Sequence, residues 1–208
     1  MISIVIRTLN EEKYLGECLK AVKSQLVSED VEIVVVDSGS SDRTIAIAQN
    51  ANVKLVKIKK SEFTFGRSLN WGTQSCSGDI VVYLSAHCIP IDKFWLSSLI
   101  QPLREDAVSY SYGRQLPRKN ISKFSEGKVF EKYFASSAFI PQKGYFCNNA
   151  NAAIKREIWL KYKFDEDLTG LEDMELAKRL VHNGKKIGYV SAAQVEHIHE
   201  EAWHIIRK

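Results

Sequence analysis

The residues able to do chemistry sit in a few short segments of a 208-residue chain. Glu172-Asp173 opens LEDMELAKRLVH, so two carboxylates project from the start of a helix. A carboxylate held rigidly there can take a proton from a hydroxyl, and acids at that place also simply complement the helix dipole. His197 and His199 are two apart in an extended stretch, so both side chains leave a strand on one face and can converge on one ion. An exposed edge pair is the ordinary alternative. His87 lies in SAHC after an apolar run; it can bind a transition metal, meet a phosphate or merely pack. In DSGSSD (37–42) Asp37 can accept hydrogen bonds from the edge of a pyrimidine while Gly39 and the serines let backbone approach a ligand. The same residues also make a tight turn and a helix cap. Arg67, in FGRSLNWG, offers a planar fork suited to phosphate, or is a surface arginine at a helix start.

These segments need elements to position them. ISIVI (2–6), VEIVVVD (31–37), VKLVKI (53–58) and DIVVYL (79–84) are apolar, largely β-branched runs of the kind found in strands buried on both faces. Helical patterns separate them. The first is expected after Asn10 as cap, with Leu15, Leu19, Val22 and Leu26 on one face; the second starts at Ser41 or Asp42; the third runs through Leu69 and Trp71. Alternation with short turns predicts a parallel, right-handed βαβ sheet, the fold class α/β. Past Pro90 the order changes. A helix is expected near 93–103, a strand around 108–114, a less regular stretch to about 145, a helix over 171–182 with Leu171, Met174, Ala177 and Val181 inward, and a final strand over GYVSAAQVEHIH. In such a sheet ligands bind beyond the carboxyl ends of the strands. The residues there are polar: Arg7-Thr8-Leu9-Asn10, the DSGSSD turn and Ser85-Ala86-His87-Cys88.

Composition sets bounds. With 45% hydrophobic residues and no Pro/Gly/Ser-rich linker, one domain over 1–208 is expected, with halves at 1–90 and 91–208. A net charge of +4 without long basic runs is too mild to imply a nucleic-acid partner; none is expected, and the charge suits an anionic small molecule or loose contact with an anionic membrane face. Cys18, Cys76, Cys88 and Cys147 form no CxxC pair, so reduced thiols in a cytoplasmic protein are expected. MISIVIRTLNEEKYL reads neither as a signal peptide nor as a membrane span.

Taken in order, SIVIRTLNEEKYLGECLKAVKSQ, VEIVVVDSGSSDRTIAIA, GRSLNWGTQSCSGDIVVYLSAHCIP, NNANAAIKREIW and GLEDMELAKRLVHNGKKIGYV with VEHIH resemble family 2 of the glycosyltransferases. The resemblance implies the GT-A fold, with a nucleotide-binding first half and a smaller α+β acceptor-side half. It further implies an inverting transfer from a nucleotide diphosphate sugar to a glycan or lipid-linked acceptor, in bacterial surface-polysaccharide synthesis at the cytoplasmic side. Its pattern assigns the base-binding pocket to Thr8, Leu9, Glu11, Asp37 and Ser38, the diphosphate to Arg67 with Ser85 and Ala86, the catalytic base to Asp173, and the acceptor side to Asn149, Asn151 and Glu172. Where the family places Asp-x-Asp for a divalent metal, Mn²⁺ or Mg²⁺, this chain has Ser85-Ala86-His87. His87, His197 and His199 become the candidate ligands, though imidazole suits Mg²⁺ poorly. That departure keeps open an inactive nucleotide-binding subunit of the same fold. A sugar nucleotidyltransferase is disfavoured, since RTLNEE lacks the Gly-rich basic loop.

Overall fold

A computed structural model describes residues 1–198 of the chain. The four apolar runs form strands β1 (Ile2–Thr8), β2 (Val31–Asp37), β3 (Lys54–Lys57) and β4 (Ile80–Ser85). They lie parallel in the order β3-β2-β1-β4. Between them run helices α1 (Leu15–Lys23), α2 (Thr44–Asn50) and α3 (Phe65–Gln74). Side chains alternate across the sheet, and both faces are covered. Ile2, Ile4, Ile6, Val82 and Leu84 join one apolar core, and Val5, Val34, Val36, Val81 and Tyr83 join the other. Continuous apolar strands need that two-sided cover.

The second half completes the sheet. It adds β5 (Cys88–Pro90), α4 (Trp95–Arg104), β6 (Tyr110–Pro117), α5 (Phe124–Tyr133), β7 (Asn151–Lys155), α6 (Arg156–Tyr162), α7 (Glu172–His182) and β8 (Ile187–His197). Strand β7 pairs antiparallel with both β4 and β6, β6 runs parallel to β8, and β5 closes the edge antiparallel to β8. Eight strands thus form one sheet, ordered β3-β2-β1-β4-β7-β6-β8-β5.

Several expectations change. Asn10 does not cap α1: its backbone is left-handed (φ 55°), which asparagine tolerates, and its Oδ1 accepts from the Ser41 N–H at 2.8 Å. It ties the first loop to the DSGSSD turn. Helix α1 starts only at Leu15, and Leu26 falls beyond it, exposed. The stretch expected to be irregular holds α5, and β7, within NNANAAIK and directly ahead of α6, is a strand that the periodicity does not reveal. Leu171 is also different: it is left-handed (φ 61°) and 69% exposed, so it lies outside the helical phase. The inward stripe of α7 is Glu172, Leu176, Ala177 and Leu180.

One side chain fixes the approach to α7. Asn70 on α3 is buried; its Nδ2 donates to Phe164 O (2.9 Å) and Glu166 Oε1 (3.0 Å), and its Oδ1 accepts from Trp159 Nε1 (2.9 Å) and Phe164 N (3.1 Å). All of its donors and acceptors are used. Gly66, one turn earlier, lies so close to this loop that a Cβ would stand 2.0 Å from Asp165 O. Asn70→Ala would strand the Trp159 and Phe164 donors in the interior. The expected loss is about 2–4 kcal/mol of unfolding free energy, read as a lower midpoint in urea denaturation.

Candidate active site

Strand β1 lies between β2 and β4, so the chain leaves it in opposite directions on its two sides, and a crevice opens where those directions part. A cleft of about 600 Å³ occupies that place. Arg7, Thr8, Leu9 and Glu11 from the end of β1, Ser85 and His87 from β4 and its turn, Glu172 and Asp173 from α7, and His197 from β8 all line it. Phe63, Phe65 and Phe146 add aromatic wall.

Asp173 is held at the first turn of α7. Its Oδ1 accepts from the Met174 N–H (2.7 Å) and its Oδ2 from the Asn149 N–H (3.1 Å), so both oxygens are oriented by backbone. Burial pushes its carboxyl above the ordinary aspartate value; those two N–H groups and the Arg7 charge pull the other way. Neighbouring Glu172 is buried too and raised chiefly for that reason, with Arg7 again opposing. Arg7 Nη1 stands 3.6 Å from Glu172 Oε1. A carboxylate fixed in position, partly out of water and open to a cleft can accept a proton from a bound hydroxyl.

Two of the candidate histidines, His87 and His197, meet in the cleft. Their rings stack with centroids 5.0 Å apart and planes 16° apart. His87 Nδ1 lies 2.6 Å from Glu11 Oε1, and His197 Nδ1 lies 2.6 Å from Gln115 Oε1. Stacked, near-parallel rings do not aim two lone pairs at one point, because an ion bound by imidazole lies in the ring plane. Among the described residues no three His, Cys, Asp or Glu side chains are grouped to hold a metal ion. This donor set does not fit Mn²⁺ or Mg²⁺, and His199 lies outside the described residues.

The remaining candidates divide. Thr8, Leu9, Glu11 and Ser85 line the cleft directly, while Ala86 is buried and gives its backbone N–H to Arg7 O at 3.1 Å. Asp37 and Ser38 sit just behind, each 2% exposed. The Asp37 Oδ2 accepts from Gly39 N and Ser40 N (3.0 Å each), Thr8 Oγ1 lies 3.3 Å from its Oδ1, and Ser38 N donates to Thr8 O. Gly39 takes φ 94°, which the turn requires. Arg67 does not line the cleft; it bonds Glu166 at 2.8 Å and Glu62 O at 2.6 Å, bracing the loop that Asn70 clasps. Asn151, expected to face an acceptor, is fully buried: it accepts from Trp95 Nε1 and donates to Ala193 O and Arg114 O. A saturated core amide has nothing left for a sugar. Asn149 is 1% exposed; its Oδ1 accepts from Tyr110 and its Nδ2 turns toward Glu172 without reaching hydrogen-bond geometry. It reaches the cleft through its backbone N–H on Asp173.

Arg7 is the functional residue that the sequence reading left unassigned, though an arginine ending a buried apolar strand was a usable signal. The aromatic wall had no such signal, because Phe63, Phe65 and Phe146 come from segments without a common period.

Residues 3–162 match the family model described as Glycosyl transferase family 2. The chain is 26% identical over 209 residues to the O-antigen chain rhamnosyltransferase RfbN of Salmonella typhimurium, covering 95% of this chain and 66% of RfbN. It is 29% identical over 180 residues to the O-antigen chain rhamnosyltransferase WbaN of Salmonella anatum, covering 81% and 56%. It therefore spans only 66% and 56% of the length of these relatives. The solved structure of mannosyltransferase PcManGT from Pyrobaculum calidifontis, in complex with GDP-Man and Mn²⁺, aligns with a TM-score of 0.78 at 21% identity, over 99% of this chain and 59% of that one. With the family model covering most of its length and this architecture beneath it, the chain belongs to glycosyl transferase family 2 and has the GT-A fold.

Proposed function

We propose that this protein transfers a sugar, with inversion, from a nucleotide diphosphate sugar to a glycan or lipid-linked acceptor in the assembly of a bacterial surface polysaccharide, at the cytoplasmic side. The names of RfbN and WbaN support the process, and family membership supports the reaction class. The observation that carries the mechanism is Asp173: a carboxylate with both oxygens oriented, at a helix start that opens into the cleft. In our reading the nucleoside rests against Thr8, Leu9 and Glu11, backed by Asp37 and Ser38, and the diphosphate lies near Ser85, Ala86 and His87. Arg67, engaged with Glu166, is given no ligand.

In the transfer step the acceptor oxygen attacks the anomeric carbon from the face opposite the diphosphate. The bond from that carbon to the phosphate oxygen breaks, and its electron pair leaves with the diphosphate. Asp173 takes the hydroxyl proton. A base of this kind contributes ~10²–10⁴ in rate. Glu172, behind Asp173, orders the acceptor-side wall.

A second reading has its own support: His87 where the family carries a carboxylate, and no three-ligand metal cluster among the described residues. It is a nucleotide-binding subunit without transfer activity. A panel of nucleotide diphosphate sugars, with and without Mn²⁺ or Mg²⁺, separates the two. Thermal stabilisation accompanied by donor hydrolysis or transfer supports the enzyme; stabilisation with no turnover under any condition supports the subunit.

Two outcomes are expected of the enzyme. Asp173→Asn should lower turnover by at least about 10²-fold while nucleotide binding, measured by titration calorimetry, stays within about twofold of the parent, an isosteric change costing little there. Unchanged turnover removes Asp173 from the chemistry. The second concerns pH. Asp173 works ionised and its folded pKa is raised, so activity should be lost as pH falls through a midpoint above the ordinary 3.8. A kcat/KM profile flat down to pH ~4 contradicts this.

A further inference from the structure

Among the described residues Arg7 is the only lysine or arginine lining the cleft, and it shares that lining with three carboxylates, Glu11, Glu172 and Asp173. Its setting is unusual for an arginine. The guanidinium lies 5.2 Å over the Phe65 ring, its side chain is 15% exposed, and Nη1 is buried, 3.6 Å from Glu172 Oε1, with no hydrogen-bond acceptor. A bidentate fork would have given shorter, paired contacts. This geometry supplies instead a permanent charge, fixed by a central strand and an aromatic face, beside two adjacent carboxylates at the floor of the cleft.

We infer that Arg7 is a positioning residue that keeps the Glu172–Asp173 pair doubly ionised, so that Asp173 is available as base at neutral pH. This rests on the reading of Asp173 as the base. Two neighbouring carboxylates out of water cannot both ionise without a nearby cation; one proton is then shared between them. The groups around the pair leave that task to Arg7. Glu172 is a like charge on the same helix. From β6 and the segment before β7, Tyr110 and Cys147 face Asp173, and burial drives both far upward, so they stay neutral. The Asn149 and Met174 N–H groups help only through dipoles. Across the cleft Glu11 and His87 bond one another, and His197 bonds Gln115.

The test is the pH profile of kcat/KM for the full chain with its best donor. Arg7→Met should move the acid limb upward by about 1–3 pH units, the span one opposite charge commands at this range. Arg7→Lys, which keeps the charge, should move it far less. Arg7→Met/Glu172→Gln, which removes the cation and the like charge together, should return it toward the parent. A merely structural arginine would lower activity by the same factor at every pH, and an unmoved limb in Arg7→Met overturns the inference. If that variant does not fold, as judged by its thermal melt, Arg7→Gln takes its place: an acid limb about 1–3 units above that of Arg7→Lys supports the inference, and a limb equal to the lysine variant's overturns it. Full turnover by Asp173→Asn instead removes the base assignment itself, a separate failure visible without any Arg7 variant.

Discussion

Two carboxylates are held largely out of water at the start of α7, and much of the surrounding structure exists to make that tolerable. Burial disfavours the charged form of each and pushes both carboxyls above their ordinary range. The offset comes from three directions: backbone N–H groups on both oxygens of Asp173, the dipole of the eleven-residue helix, and the Arg7 cation from the neighbouring strand. None of these works unless α7 begins at the right point in space. The left-handed Leu171 turns the chain into the helix, and the Asn70 clasp with the Arg67–Glu166 pair anchors the loop leading to it. A residue on α3 that never touches the cleft therefore governs what the cleft can do.

The sheet supplies the other half of the constraint. Arg7 pairs in register with Val36 on one side and Ser85 on the other, so the polar residues ending β1, β2 and β4 share one rim. Side-chain alternation does the rest. Val5 and Tyr83 belong to the core under α3 and α7, and Arg7 and Ser85, two residues on, point to that same face. The crevice arises from strand order and register, and the segments from the second half only close it.

That division explains what the sequence revealed. Strands β1, β2 and β4 were legible because burial on both faces demands uninterrupted β-branched runs, and the DSGSSD turn because a Gly/Ser cluster after an acid has few other uses. Asp173, His87 and Glu11 reach the cleft as the order of their segments implied. The failures share one cause: they depend on partners distant in sequence. Asn151 looks like a surface amide until Trp95 and the Ala193 and Arg114 carbonyls close around it. Arg67 looks like a phosphate fork until Glu166, 99 positions away, takes it. Strand β7 goes unmarked in the sequence, since Asn-Ala-Ala-Ile-Lys carries little strand preference; pairing on both sides, not composition, makes it extended. Leu171 fits a helical period numerically and is excluded by its own backbone.

The histidine stack binds the late strand to the early ones. Strand β8 spans eleven residues, with a register shift beside Gly113 and Arg114 in its partner β6, and ends at His197 between the His87 and Phe130 rings. A bulge of this kind re-aims the residues beyond it, and here the redirected strand ends bring Gln115 and His197 together. With Glu11 on one imidazole and Gln115 on the other, each ring is oriented by an oxygen at Nδ1. An oxygen placed in this way fixes the orientation of the ring that it contacts. His87 thus stands in the cleft as an imidazole oriented by Glu11, in a lining where Arg7 is the sole lysine or arginine among the described residues.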